Sequence, residues 1–380
     1  MRNRRASIPS PARLFDPRAV LGFAVLCVVL GCRSAPTAPH SHSYDGDWPV
    51  STLAEEGMDS LRLASLDSAI LAGEYRNIRS LLVVRHGALL FERYYRGYDR
   101  DSLQPVFSVT ESFVSALVGI ALGRGEINGL DGTVHDLLPV YQTGVPWDAQ
   151  RRAISLRHLL TMTSGLVWIE SEVPFGDPAN SYTAMTASGD WIDFVLRLPM
   201  DGSPGNRWRY CTGCSVLAGA ILERATGVHA EEYATRFLFG ALGISRYRWE
   251  RAPGGMNNGG SGLELRPRDL AKFGQLYLQR GVWGSGRVVP ESWVSQSTSM
   301  LVPHSDTLGY GLHWWVYRPS GRTARGRTAG TVAVAWGLGD KFIFVLPELD
   351  MVVVSTAANY PGVQAQAFRF LNSHLIPATR

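Results

Sequence analysis

Apolar positions along this 380-residue chain change period several times, and each change marks an element. From Asp59 to Leu71 the side chains Leu61, Leu63, Leu66, Ile70 and Leu71 recur on one broad helical face, which predicts a helix. The run Ser80 to Tyr94 is two apolar strands folded back at His86-Gly87. Phe342 to Ser355 has the same form, with its turn at Pro347-Glu-Leu-Asp350, and a last helix is expected over Val363 to Leu375. Between these ends, Leu156–Leu166, Val216–Thr226 and Arg268–Leu278 are helical in period or bounded by turn formers, with Gly227 as a stop. Glu170 to Tyr182 is polar and turn-rich, as a loop over a site would be. Strands at both ends and helices between them predict an α/β (α+β) body. Its antiparallel sheet, flanked by helices, is expected from about residues 51–105 and 285–380, with a mostly helical inserted lobe over about 106–284.

The first residues do not belong to that pattern. Arg2, Arg4, Arg5, Arg13 and Arg18 precede an apolar run from Ala19 to Leu30 that is short for a bilayer span. It ends in Val29-Leu30-Gly31-Cys32, which resembles a bacterial lipobox. Residues 1–31 are therefore expected to be a signal peptide and Cys32 the lipidated mature terminus. Residues 32–50 would form a flexible tether before a domain over 51–380. A membrane-anchored lipoprotein of the cell envelope follows as the expected location. The formal charge of +4 is carried by this leader, where five arginines face only Asp16, so the remainder is neutral and gives no footprint for a nucleic-acid partner. Of four cysteines, only Cys211 and Cys214 lie in the body. Their spacing allows redox chemistry, half a zinc site or a local disulfide. Without a second ligand pair, a disulfide or two packed thiols is the plainer expectation, and no metal or cofactor is called for.

Candidate chemistry starts at Phe107-Ser108-Val109-Thr110-Glu111-Ser112-Phe113, which opens an apolar helix. Alone, Ser108 would be a helix cap. Other segments follow it in order: His158 to Leu166, then Pro204-Gly205-Asn-Arg-Trp-Arg-Tyr210, Leu265 to Gly274, and Val334-Ala335-Trp336-Gly337-Leu338-Gly339. Together they resemble the serine β-lactamase and penicillin-binding-protein superfamily. The likeness is greatest to its class C-like esterase and aminohexanoate-oligomer hydrolase branch, and it runs from about Leu81 to the final helix. The resemblance implies a β-lactamase/transpeptidase-like fold, Ser108 as nucleophile of an acyl transfer and Tyr210 as its phenolic partner. It also implies that Thr212, Trp336, Gly337 and Gly339 line the substrate.

Two departures bear on function. Position 111, one helical turn after Ser108, is glutamate where the family places its lysine, and a carboxylate there raises a neighbouring tyrosine's pKa where an ammonium would lower it. Glu111 is left as either a carboxylate base or a carboxyl kept protonated by burial. The only lysines, Lys272 and Lys341, align outside the nucleophile's helix. Thr212 stands in the place of the family's asparagine, and no Lys-Thr-Gly triplet is present, which points away from anionic β-lactams toward a neutral ester or amide. Two functions remain: a serine hydrolase acting on a small-molecule or peptide ester or amide, or an inactive relative that binds an envelope peptide or muropeptide. Trp168, Trp314, Trp315 and Tyr182 are read as core aromatics more readily than as pocket walls.

Overall fold

The computed structural model describes residues 43–45, 48–360 and 365–380. The expected leader, the lipidation site Cys32 and most of the tether lie outside the described residues; the end of the expected tether is not free chain, because Ser43–Asp45 and Trp48–Val50 are strands and Trp48 is buried in a core. The expected last helix begins there too; within the described part it runs through Gln366–Phe370 and a wider turn at Leu371–Leu375.

Ten strands form the main sheet: β1 Ser43–Asp45, β2 Trp48–Val50, β3 Ile78–Arg85, β4 Ala88–Tyr94, β5 Val302–Pro303, β6 Leu308–Tyr310, β7 Trp315–Tyr317, β8 Val332–Gly337, β9 Lys341–Leu346 and β10 Met351–Ala357. Their order is β1-β2-β4-β3-β10-β9-β8-β7-β6-β5. All pairings are antiparallel except β2 with β4, joined in parallel at Val50 and Leu89, so the sheet is mixed at one edge and not wholly antiparallel as expected. Both hairpins turn on left-handed residues, His86 (φ 48°) before Gly87 and Asp350 (φ 45°).

The central strands read as unbroken apolar runs because both sheet faces are covered. Alternation assigns their side chains to two cores. Leu82, Val84, Ile343, Val345, Val352 and Val354 face the inserted helices. Leu81, Val83, Phe342, Phe344, Met351 and Val353 face helix α1 (Ser60–Leu71) and the C-terminal helix. Asp59 caps α1 by accepting from the Leu61 and Arg62 amides.

Three inserted helices position the site. Helix α2 (Val109–Gly123) is buried from Val109 through Ala121, which explains its apolar character on every side. Helix α3 (Thr212–Thr226) ends at Gly227 in the left-handed conformation expected of a stop. Helix α4 (Pro267–Leu278) lies against the sheet, where a Cβ on Gly274 would come within 2.5 Å of Val352. Phe113 of α2 stacks on Phe273 of α4 with ring centroids 3.8 Å apart, locking the first helix to the third.

Candidate active site

Ser108 stands at the N-cap of α2, yet its backbone is already helical (φ −64°, ψ −6°) and its hydroxyl makes no capping bond. A capping serine would accept from an amide of the first turn. The Ser108 hydroxyl instead lies beside the Tyr210 phenol, whose ionised form it favours. Phe107, just before it, holds a left-handed φ of 49°, a conformation that costs of order 1–3 kcal/mol in a non-glycine residue. Its ring is held by Tyr360, 5.8 Å away between centroids, and by the Lys341 ammonium, 5.0 Å from the ring centre.

Glu111 lies one turn further along and is 2 % exposed. Tyr210 donates to its Oε1 at 2.9 Å and Tyr310 to its Oε2 at 3.4 Å, and the Ser215 hydroxyl lies close enough to favour its charged form. Burial pushes the Glu111 carboxyl well above the usual carboxylate range, and nearby Glu170 pushes the same way; the three hydroxyls pull against them. Burial also pushes the Tyr210 and Tyr310 phenols far up, with Glu111 adding to both. No described lysine or arginine offsets this. Lys272 reaches Asp269 at 3.7 Å, and Lys341 donates to the Tyr360 hydroxyl at 2.6 Å.

The second carboxyl, Glu170, comes from the loop expected to cover the site. It accepts from Trp168 Nε1 at 2.5 Å, from the Thr212 hydroxyl at 2.9 Å and from the Thr212 amide at 3.3 Å. This corrects the reading of Thr212 as a substrate contact: the side chain is buried and its only hydroxyl proton is given to Glu170. Trp168 is likewise a buried structural donor, and Trp314 stacks in the core on Phe273. Tyr182 is tied to Ser261 at 2.8 Å.

Strand β8 brings the other residues to Ser108. A Cβ on Gly337 would fall 2.2 Å from the Val106 carbonyl and 3.3 Å from the Ser108 amide nitrogen, so only glycine lets the strand approach this closely. Gly339 has φ 75° and packs against the Tyr360 ring. Trp336 is half-buried and joins an aromatic wall: its ring is 5.3 Å from Trp315, which is 5.4 Å from Trp208 and stacks on Tyr210 at 6.2 Å. Ser108, Glu111, Tyr210 and Gly337 are thus brought together, whereas Trp336 packs on Phe342 and Phe368 and meets the site only through Trp315. Cys211 and Cys214 are buried free thiols; the Cys214 amide donates to the Cys211 sulfur at 3.2 Å, capping α3 just after Tyr210. Among the described residues no cluster suited to a metal is present. Sequence reasoning missed Glu170, Ser215, Tyr310 and His313. None stands at a fixed spacing from Ser108, and only Glu170, at the start of the loop expected over the site, left any signal.

Comparison with known proteins agrees with this fold. A relative in Paenarthrobacter ureafaciens named 6-aminohexanoate-dimer hydrolase is 25% identical over 321 residues, covering 78% of this chain and 76% of its own. A solved hydrolase with promiscuous acyltransferase activity, EstCE1, superposes with a TM-score of 0.66 at 16% identity, covering 85% of this chain and 98% of its own. The octameric penicillin-binding protein homologue of Pyrococcus abyssi gives 0.63 at 18% identity, over 84% and 78%. At those identities the two structures speak for the fold alone. The family model described as Beta-lactamase matches residues 75–373, and the chain belongs to that family of hydrolases.

Proposed function

We propose that the protein is a serine hydrolase of neutral esters or amides, in which Glu111 does as a carboxylate what the family's lysine does as an amine. The observation that carries this reading is the row Ser108–Tyr210–Glu111, in which the Ser108 hydroxyl lies beside the phenol and the phenol donates to Glu111 at 2.9 Å. With Glu111 ionised, the Ser108 hydroxyl gives its proton to Tyr210 as its oxygen attacks the carbonyl carbon, and Tyr210 passes its own proton to Glu111. A tetrahedral adduct on Ser108, an intact tyrosine and a protonated glutamate result. The return of that proton to the leaving alkoxide or amine completes acylation, and water repeats the sequence to release the acid. An ordinary carboxylate is a weak base for this work; the burial that raises the Glu111 proton affinity brings it toward the range where general bases operate. The amide of Ser108, at a helix start and against Gly337, is suited to the developing oxyanion.

The aromatic wall of Trp208, Trp315 and Trp336 suits an apolar acyl group. Arg209, beside Tyr210, is tied to Asp201 at 2.7 Å and is not offered to a substrate carboxylate. The name of the Paenarthrobacter relative is consistent with a linear amide. The same reading puts the enzyme in the cell envelope, anchored through Cys32.

Turnover of a small p-nitrophenyl ester tests the proposal. The natural protein should hydrolyse it, Ser108→Ala should not, and Glu111→Gln should lose about a hundred- to ten-thousandfold, the usual worth of a general base. Glu111→Lys should bring no gain. A tenfold or greater rise in Glu111→Lys would instead identify the natural protein as an impaired relative that binds an envelope peptide.

A further inference from the structure

His313 is a costly residue for its place. It is 1 % exposed and holds a left-handed φ of 57°, where glycine would sit without strain. Burial holds the imidazole neutral, pushing its pKa down to about 4. Its Nδ1 makes no hydrogen bond. Its backbone is fixed at both ends: the Ser112 hydroxyl donates to its carbonyl at 2.7 Å, and its amide donates to the Leu160 carbonyl at 2.8 Å. One turn along α2, Ser115 binds the Leu312 carbonyl at 2.7 Å. The loop is therefore pinned to the same helix that carries Glu111, and this aims the ring at α3. There Nε2 lies 3.3 Å from the Ser215 hydroxyl, which lies near the Glu111 carboxyl and favours its charged form.

We infer that His313 and Ser215 form a positioning relay behind Glu111 that keeps its carboxyl ionisable. With the imidazole proton on Nε2, the ring donates to Ser215 and Ser215 donates to the carboxylate. No proton changes owner. Each bond favours the charged form of Glu111 and offsets part of its desolvation. The other groups facing the carboxyl are the Tyr210 and Tyr310 phenols and Glu170, with the Cys214 thiol beyond Tyr310. Of these, Glu170 works against ionisation and the phenols are already in use. A neutral imidazole suits the task because it orients the serine without adding a second buried charge.

The inference rests on Glu111 acting as base, so its test reads Glu111 in two ways. One is the infrared carboxyl stretching band that Glu111→Gln removes, followed as a function of pH. The other is the acid limb of kcat/KM for p-nitrophenyl acetate. Ser215→Ala and His313→Gly should each move both midpoints upward by about one pH unit, the worth of one hydrogen bond. The double variant should move them no further than Ser215→Ala alone, because the two act in series. His313→Gly suits the backbone, and His313→Asn, which tolerates the same φ, is the second choice should the ring's loss open too large a void. Unmoved midpoints, or two shifts that add, would overturn the relay. An infrared midpoint that moves while the activity limb stays would keep the relay and remove Glu111 as the base.

Discussion

A carboxyl group shut away from water makes stability depend on pH, and Glu111 is such a group. Its native pKa lies above its unfolded value of 4.5, so the folded protein binds the proton more tightly. The stabilisation this gives is complete below the unfolded value and is lost as pH rises through the native one. Glu111→Gln, which keeps the shape and removes the charge, should therefore melt close to the natural protein near pH 4.5. At pH 8 it should melt measurably higher, the cost of the buried charge having been removed. Thermal melts of the two proteins across pH check this, and a gap that does not widen with pH would mean that the carboxyl is ionised at little cost. Ser108, Glu111 and Tyr210 were legible in the chain because each sits in a segment of recognisable order. The role of Thr212 was not, since a sequence shows a hydroxyl but not the buried Glu170 that takes its proton.

At the scale of elements, two glycines separate packing from chemistry. A Cβ on Gly119 would lie 2.3 Å from the Trp293 ring, where α2 meets the helix Glu291–Ser297. Gly119→Ala should cost about 1–3 kcal/mol of stability through overpacking and leave ester turnover per folded molecule within about twofold. Gly337→Ala puts its Cβ into the Val106 carbonyl, beside the Ser108 amide. It should lower kcat at least about tenfold, since a misplacement of an ångström at the reacting atoms is severe. Melting temperature and kcat measured on both variants decide the matter; equal losses of activity would deny β8 its part in the site. The hairpins and α1 were readable because a turn dipeptide or a capping aspartate sits at their ends. The short strands β5 to β7 were not. Each is held by its neighbours in the sheet, so too few residues carry a period of their own.

For the whole molecule, the two-core layout was only half visible. A run such as Phe342-Ile-Phe-Val marks a buried strand, but not which side chains face which helices. The expected lipid anchor at Cys32 carries its own prediction. No helix among the described residues is long and apolar enough to cross a membrane. Cys32→Ser should move the protein from the membrane fraction to the soluble one; unchanged fractionation would mean that the run Ala19 to Leu30 is itself the anchor.

The two lysines have a further consequence. The chain carries no others, and Lys272 and Lys341 are 2 % and 0 % exposed, so the folded body offers almost nothing to reagents that seek primary amines. Acylating tags, amine crosslinkers and trypsin at lysine should all leave it nearly untouched until the helices and sheet come apart. Both side chains then become reactive together. The mass added by a brief pulse of an amine label would thus count opened molecules directly, and could follow unfolding in a crude membrane preparation where spectroscopy fails.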